Sequence, residues 1–378
     1  MSDKVPDGWK KYKLGDIVRL NPYSIDSNFK YSQIVYLDTG SIKEGKITEL
    51  KEYKLTDAPS SAKRLVKNNN IIYSTVRPIQ RHYGIIKNPP DNMVVSNGFV
   101  VLEAIEEIID PYFLYYFLTL DKIIDTLEAI AEASSSVYPT FRIPVLENLT
   151  IFLPSLPEQR AIASVLSSID DKIDLLQREN KTLEAMAETL FRQWFIEEAE
   201  DDWEEVKLGD FFPVITGKKD ANFATSDGLY PFFTCSQSVL RSPSYSFDGA
   251  AIILAGNGDF NVKHYVGKFE AYQRTYVLIP YDALYFGFLL TLIKYYLPII
   301  TNGYQGSVIN FITKPMIEKF KFRLPKRRDL IKDKLVYLND LYKKVDINYA
   351  QIRTLTQLRD TLLPKLMSGE VRVDLCQS

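Results

Sequence analysis

The feature that most constrains this chain is a helical seam that occurs twice. Between Glu158 and Phe195, apolar residues fall at Ile162, Val165 or Leu166, Ile169, Ile173, Leu176, Leu183, Ala187, Leu190 and Trp194, in alternating steps of three and four. That spacing is the seam of a coiled-coil helix. Neither Gly nor Pro interrupts it, and Leu153-Pro154 and Pro157 bring the chain in extended, so the pattern predicts a long helix over 158–198. At about 1.5 Å per residue the stretch is roughly 57 Å long. Asn180 is the polar position of the seam, a device that fixes partner and register. A single helix of this kind would also fit as the buried wall of one domain.

The second copy argues against one wall. From Asp329 to Met367 the seam returns as Ile331, Leu335, Leu338, Tyr342, Val345, Ile352, Leu355, Leu362 and Leu366, predicting a second helix over 326–370 and a short tail over 371–378. Residue identities match as well. Leu183-Glu-Ala-Met-Ala-Glu-Thr-Leu190 aligns with Leu355-Thr-Gln-Leu-Arg-Asp-Thr-Leu362 at an offset of 172, and Ser136-Val137 to Leu153-Pro154 aligns with Ser307-Val308 to Leu324-Pro325 at 171. Upstream, Trp9-Lys-Lys-Tyr-Lys-Leu-Gly-Asp16 recurs as Trp203-Glu-Glu-Val-Lys-Leu-Gly-Asp210 at 194. The falling offset means that a frame repeats while its filling differs.

Composition fits two such copies. The 378 residues, 46% hydrophobic and 25% charged, describe an ordinary soluble chain long enough for two cores. Two cysteines, Cys235 and Cys376, make no disulfide framework, and the polar start MSDKVPDGW has no signal-peptide pattern, so a cytoplasmic setting is expected. The apolar run Ala283 to Ile300 contains Lys294 and Pro298 and reads as a buried helix rather than a membrane span. A net charge of -2 excludes a generally basic nucleic-acid binder, so any such role rests on local charge or on a partner.

Between the matched ends, short alternating runs broken by turn residues predict strands. In the first copy these are residues 34–37, 71–76, 85–86, 99–102 and 149–153; in the second they are 252–254, 276–279 and 320–324. Asp110-Pro111 opens an aromatic helix, PYFLYYFLTLDKII, and another runs from Asp282 to Leu297. The expected architecture is α+β, with two domains over 1–157 and 199–325, each followed by a long helix.

Lys63 to Lys87 holds Lys63, Arg64, Lys67, Arg77, Arg81 and Lys87 without an acidic residue, interleaved with Asn68 to Asn70, Tyr73, Gln80 and His82. Such side chains bond phosphates, and Arg, Gln and Asn are the types that read guanine and adenine in the major groove. A plain solvated surface has the same composition. In the second copy Lys218, Lys219, Gln237, Arg241, Asn257, Lys263, His264 and Arg274 surround the Gly-rich Ala255-Gly-Asn-Gly258, which ordinary hairpin turns also explain. The two sets differ, so two such faces would read different sequences.

Catalytic signals are nearly absent, and no cofactor of its own is expected. Asn88-Pro89-Pro90-Asp91 resembles the Asn-Pro-Pro-aromatic motif of adenine methyltransferases, but its fourth residue is acidic and no Gly-rich cofactor loop precedes it, so a turn accounts for it better. Glu44-Gly-Lys46 and Glu52-Tyr-Lys54 mimic the end of a metal-dependent nuclease site without a convincing preceding Asp, and read as hairpin turns. Two scattered His and two Cys make no zinc cluster, and there is no G-x-x-x-x-G-K-[ST] loop. Two alternatives remain: a methyltransferase or nuclease, or a coiled-coil scaffold that binds no DNA.

Leu153-Pro-Ser-Leu-Pro-Glu-Gln-Arg-Ala-Ile162, Asp170-Asp-Lys-Ile173, Leu183-Glu-Ala-Met-Ala187 and the closing Leu362-Leu-Pro-Lys-Leu-Met-Ser-Gly-Glu370 resemble the specificity subunits of type I restriction-modification systems. The resemblance covers the whole layout and is specific in the helical regions. It implies two α+β target-recognition domains separated by two long antiparallel coiled-coil helices, an internal pseudo-twofold repeat, and one half of a split, asymmetric double-stranded DNA target read by each domain. It also implies two methyltransferase subunits docked on the helices, for which the seam residues Ile169, Ile173, Leu176, Asn180, Leu183, Leu190, Leu338, Val345, Ile352, Leu355 and Leu362 are the candidates. Restriction subunits would join the full complex, and S-adenosylmethionine, ATP and Mg would belong to those partners. A 57 Å rod matches about 17 base pairs at roughly 3.4 Å each, so unread pairs between the halves are expected. Pro325-Lys-Arg-Arg-Asp-Leu330 departs from Pro154-Ser-Leu-Pro-Glu-Gln-Arg160, which predicts a less typical start to the second helix.

Overall fold

The computed structural model describes residues 6–134, 137–301 and 311–373. They form two compact units: residues 1–172 with 355–378, and residues 173–354. Each unit therefore takes part of both long helices, where the sequence had suggested domains and helices as separate segments. Ser136, Ser307-Val308 and Cys376 lie outside the described residues.

The duplicated ends of the sequence meet each other in each unit. Lys10–Lys13 pairs antiparallel with Thr150–Leu153, Lys10 opposite Leu153; Glu204–Lys207 pairs with Lys321–Leu324, Glu204 opposite Leu324. The register is the same at the two repeat offsets. The next residue repeats too, since Leu14 N–H donates to the Leu149 carbonyl at 2.9 Å and Leu208 N–H to that of Phe320 at 3.0 Å. Each then turns through a Leu-Gly-Asp 3-10 helix packed on a short helix. A Cβ on Gly15 would sit 3.1 Å from Glu147 Cβ, and one on Gly209 would sit 3.0 Å from the Glu318 carbonyl oxygen. The frame recurs because it is the clasp that closes each unit.

In the first unit one four-stranded sheet orders Lys51–Lys54, Gln33–Leu37, Met93–Ser96 and Ala62–Leu65, and a second orders Val18–Leu20, Phe99–Ala104, Ile71–Ser74 and Tyr83–Ile85. Helices α1 (Pro111–Leu118), α2 (Asp121–Ser134) and α3 (Ile143–Glu147) follow, then α4 (Leu156–Arg192), which ends in a π-helical turn, Gln193–Glu197. The Asp110 carboxylate accepts from the N–H groups of Tyr112 and Phe113, as the sequence predicts for a cap. The expected single aromatic helix is two, because Thr119 caps α1 and turns its hydroxyl back to the Tyr116 carbonyl at 3.0 Å.

The second unit is built on a six-stranded sheet ordered Val214–Thr216, Thr275–Leu278, Phe247–Ala255, Val262–Ala271, Tyr230–Phe233 and Leu240–Ser242. Gly249 and Gly267 face each other across the longest pair with φ of 136° and 126°, backbone that lets the ribbon bend where a side chain would resist. Helices α5 (Phe286–Thr301), α6 (Lys314–Glu318) and α7 (Lys332–Met367) complete it. Residues 283–301 are long and apolar enough to cross a membrane by composition, yet Phe286 to Ile293 are buried, and Phe288 packs on Phe191 of α4.

Helices α4 and α7 run antiparallel in both units. In the first, Glu158 pairs with Arg372 at 2.7 Å and Asp170 with Arg359 at 3.0 Å; in the second, Glu179 pairs with Lys344 and Glu198 with Lys334. As one number rises the other falls. Arg372 and its bond to the Asp7 carbonyl tie down the start of the expected tail. Gln159 is buried and bonds Asp110 N–H and the carbonyls of Ile108 and Pro154, so the Pro-Glu-Gln-Arg motif is a structural pin. The second copy has exposed Leu330 at the matching place and starts α7 through a 3-10 turn, Arg328–Ile331.

The seam expected to dock partners is closed within the chain. Ile169, Ile173, Leu176, Asn180, Leu338 and Val345 are buried, while Leu183, Leu190, Ile352, Leu355 and Leu362 are half-buried. A partner is thus left the outer faces of these helices. Asn180 is matched across the seam by Asn348, whose Nδ2 donates to Asn180 Oδ1 at 2.8 Å in a fully buried pair. Asn348→Leu is expected to cost about 2 kcal/mol in denaturant unfolding by stranding the Asn180 amide, whereas replacing both by Leu is expected to be near neutral. A double variant as unstable as the single one would show that the two amides do not act as a pair.

Candidate nucleic-acid interface

The acid-free run Lys63 to Lys87 is not one patch. The strand Ile71–Ser74 separates its parts, with Lys67 and Lys87 near one end and Arg77 to His82 at the other, since Asn69 N–H bonds the Ile86 carbonyl and Ser74 N–H that of His82. Several expected DNA ligands are taken up by this chain. Arg81 lies 2.7 Å from Asp121 and 3.6 Å from Glu44, and the His82 ring bonds the Thr39 carbonyl. Half-buried Arg64 donates to the Phe99 carbonyl at 3.2 Å, and burial pulls its pKa down. Lys67 stacks over Tyr23 at 3.7 Å, and Lys87 pairs with Asp171 at 3.3 Å. Lys63, Arg77 and Gln80 remain exposed.

These internal bonds shape a loop. Pro78–Gln80 forms a 3-10 turn between Arg77 and Arg81, both in left-handed backbone at φ 44° and 59°. Glu128 of α2 accepts the Ile79 N–H at 2.8 Å, and Arg77 N–H donates to Pro139 O at 3.1 Å. The hairpin Ile42–Ile47 joins it through Glu44 N–H to Arg81 O and Gly45 N–H to Tyr83 O, both 2.8 Å. Glu44-Gly-Lys46 is thus the turn expected, and it brings up exposed Lys43, which the sequence reading did not include. Asp38 opens the neighbouring loop; against partial burial, hydrogen bonds from Ser41 and Lys51 hold its carboxyl below the ordinary range.

In the second unit four loops gather at one end of the sheet. Gly217 N–H bonds Thr275 O, Tyr272 N–H bonds Phe233 O, and Gly256 N–H bonds Arg274 O, each at 2.9 Å. Side chains knit them together, with Cys235 Sγ 3.1 Å from Asn257 Oδ1, Gln237 Nε2 2.7 Å from Asp259 and Asn261 Nδ2 2.8 Å from the Cys235 carbonyl. Lys263 turns inward to the Thr234 and Ser236 carbonyls, and burial lowers its pKa. Asn257, Gln237 and Lys263 therefore build the loops. Arg241 reaches the Leu229 carbonyl elsewhere, and His264 faces Asp346 of α7 at 3.1 Å. Lys218 and Arg274 are exposed beside the cluster, and Lys219 lies over Phe223 at 4.4 Å.

The two loop sites occupy the same place on the duplicated frame. Phe141 N–H donates to Thr75 O at 3.1 Å and Ile312 N–H to Gly256 O at 2.7 Å; Val76 bridges Thr140 and Asn257 bridges Phe311. Thr140 and Phe311, like Phe141 and Ile312, are repeat partners at the offset of 171. The loops after Ile71–Ser74 and Phe247–Ala255 are thus structural counterparts with different side chains. Among the described residues no group of three or more His, Cys, Asp or Glu is placed to hold a metal. Asn88 sits in a turn at φ 47°, its N–H on Asn68.

Residues 6–185 and 200–357 match the family model described as the type I restriction modification DNA specificity domain. The chain belongs to this family. It is 40% identical over 176 residues to the type I restriction enzyme EcoDI specificity subunit of Escherichia coli, covering 45% of this chain and 39% of that one. With the HindI specificity subunit of Haemophilus influenzae it shares 33% identity over 189 residues, 50% of this chain and 41% of the other. These two matches span less than half of the relatives' length. The MjaIX specificity subunit of Methanocaldococcus jannaschii aligns at 26% identity over 97% of this chain and 89% of its own. The S subunit of the type I restriction-modification system of Mycoplasma genitalium shares the fold, with a TM-score of 0.62 at 18% identity, covering 99% and 98% of the two chains. Both matched segments of the specificity family begin near a clasp strand, at Lys10 and Glu204.

Proposed function

We propose that this chain is the non-catalytic, sequence-reading subunit of a cytoplasmic type I restriction-modification complex. Each unit reads one half of an asymmetric double-stranded DNA target, and the long helices set the unread spacer and carry two methyltransferase subunits on their outer faces. Restriction subunits join the full complex, and S-adenosylmethionine, ATP and Mg act on the partners. The observation that carries this reading is the pair of counterpart loops, placed alike by the repeated frame and furnished differently. Equal scaffolds with unequal tips are what a bipartite, asymmetric target requires. Most phosphate neutralisation falls to the partners, since this chain carries a net charge of -2.

Arg77 tests the reading. Its guanidinium has no carboxylate within ion-pair distance among the described residues, only the Val137 carbonyl at 3.5 Å. In the complex assembled with methyltransferase subunits, Arg77→Ala is expected to cost about 1–3 kcal/mol in binding and to relax one base pair of one half-site. Arg81→Ala, which removes the Asp121 and Glu44 pairs, is expected to lower stability by about 1 kcal/mol instead. Wild-type affinity and preference in Arg77→Ala, on the target and every single-base variant at two salt concentrations, would remove this loop from recognition. Methylation mapping of the host genome is expected to give one split, asymmetric motif.

A further inference from the structure

Val137, Tyr138 and Ile79, at 84%, 64% and 50% exposure, are the three most exposed large apolar side chains among the described residues of the first unit. Their two segments are joined through Arg77. Arg77 N–H bonds Pro139 O at 3.1 Å and its guanidinium reaches Val137 O at 3.5 Å, which lays the 137–139 segment along the loop whose tip is Ile79. Scattered exposed apolar residues need no explanation, but a cluster at one loop tip does. The tip is also held rigidly. Arg77 and Arg81 are kept in backbone that side-chain-bearing residues rarely adopt, by Glu128 on Ile79 N–H, Asp121 on Arg81 and Thr39 on His82. The acids beside the tip are engaged, Asp121 and Glu44 with Arg81 and Glu128 with the Ile79 N–H, so the outward groups are Arg77, Ile79 and Gln80.

We propose that Ile79, backed by Val137, reads a thymine in the first half-site by packing on its C5 methyl, with Arg77 and Gln80 directed to neighbouring base pairs. The proposal rests on the DNA-reading role given to this loop above. Beside the hydrogen-bond donors and acceptors of the major-groove edges, the thymine methyl is the one apolar group that projects into the groove, cytosine having only a hydrogen at the same carbon, so an apolar tip between Arg and Gln has its best counterpart there. The left-handed residues at both ends of the turn fix where Ile79 points, and a methyl contact requires fixed position because it has no hydrogen bond to orient it.

The test uses the complex with methyltransferase subunits and target duplexes in which each thymine of the first half-site is replaced in turn by deoxyuridine, which lacks only the methyl. One replacement is expected to weaken wild-type binding about three- to fourfold, the worth of one buried methyl group. Ile79→Ala is expected to bind that thymine duplex and its deoxyuridine form alike, with Val137→Ala showing a smaller loss of the same discrimination. A first half-site without thymine would overturn the proposal, as would a deoxyuridine effect that persists in Ile79→Ala. So would weaker binding of Ile79→Ala with no deoxyuridine effect and a smaller DNA bend, which would make Ile79 a wedge between base steps. Arg77→Ala separates the layers: a base-specific loss there without any deoxyuridine effect removes Ile79 alone, whereas no loss removes the loop.

Discussion

Leu176→Asp is expected to prevent stable folding rather than merely to release a partner. Leu176 is 1% exposed in the α4 seam, between buried Ile173 and Asn180. Removing a packed leucine side chain costs about 2–5 kcal/mol by itself, and an unpaired carboxylate in the same space adds several more. The sum rivals a typical domain's entire stability of about 5–15 kcal/mol. The adjacent Leu175 is 47% exposed, turned out of the seam toward solvent, so Leu175→Asp is expected to unfold at the wild-type denaturant midpoint. Circular dichroism during denaturant titration of both variants decides the point. A Leu176→Asp protein with wild-type stability that fails to bind methyltransferase subunits would restore the seam as a docking surface.

The same contrast shows what could be read from the chain and what could not. A seam of period 3.5 is visible in one dimension, and so is its repetition, because each step depends only on neighbours in sequence. What lies across the seam is not visible. Asn180 reads as a device that fixes partner and register without saying which residue is the partner; its mate is Asn348, and nothing local names it. The clasp was half legible: the matched ends stood out as repeats, but that they pair with each other came only from Lys10 opposite Leu153 and Glu204 opposite Leu324. Strands rich in β-branched and aromatic residues, such as Ile71–Ser74, are evident, while Val262–Ala271, with Lys263, His264 and Lys268 along it, hides its ten residues behind polar side chains.

Candidate reading residues fared unevenly for an electrostatic reason. The run around Arg77 and Arg81 is free of acids in sequence, but acids arrive from α2, where Asp121 takes Arg81 and Glu128 takes the loop's backbone. A local charge count misses partners forty residues away. The loops after Ile71–Ser74 and Phe247–Ala255 both carry candidate side chains, yet the sequence hides their equivalence, because the first runs Thr-Val-Arg-Pro and the second Gly-Asn-Gly-Asp. Only the backbone bonds to Phe141 and Ile312 reveal it. Apolar Ile79 is not legible in the sequence, since one isoleucine between polar residues has no period.

Gly287→Ala is expected to destabilise the second unit by about 3 kcal/mol, at the upper end of overpacking costs, because what the new methyl strikes is backbone. Helix propensity alone predicts the opposite, as alanine is favoured over glycine inside a helix by about 1 kcal/mol. Gly287 lies in the first turn of α5, and a Cβ there would stand 2.7 Å from the Leu338 carbonyl carbon and 2.8 Å from Asn339 N. Neither atom belongs to a side chain that can swing aside. The contact is also bonded: Asn339 Oδ1 accepts Gly287 N–H at 2.6 Å while its Nδ2 donates to the carbonyls of Ala283 and Leu284. Thr291 Oγ1 donates to Gly287 O at 2.7 Å and lies 3.2 Å from the buried Tyr342 hydroxyl. Moving α5 away from α7 to admit one methyl would loosen all of these together, so relaxation offers little relief. The steric term exceeds the propensity gain severalfold, and the sign of the measured change in unfolding free energy is the test. A Gly287→Ala chain as stable as the wild type, or more so, would mean that α5 and α7 do not approach this closely in solution.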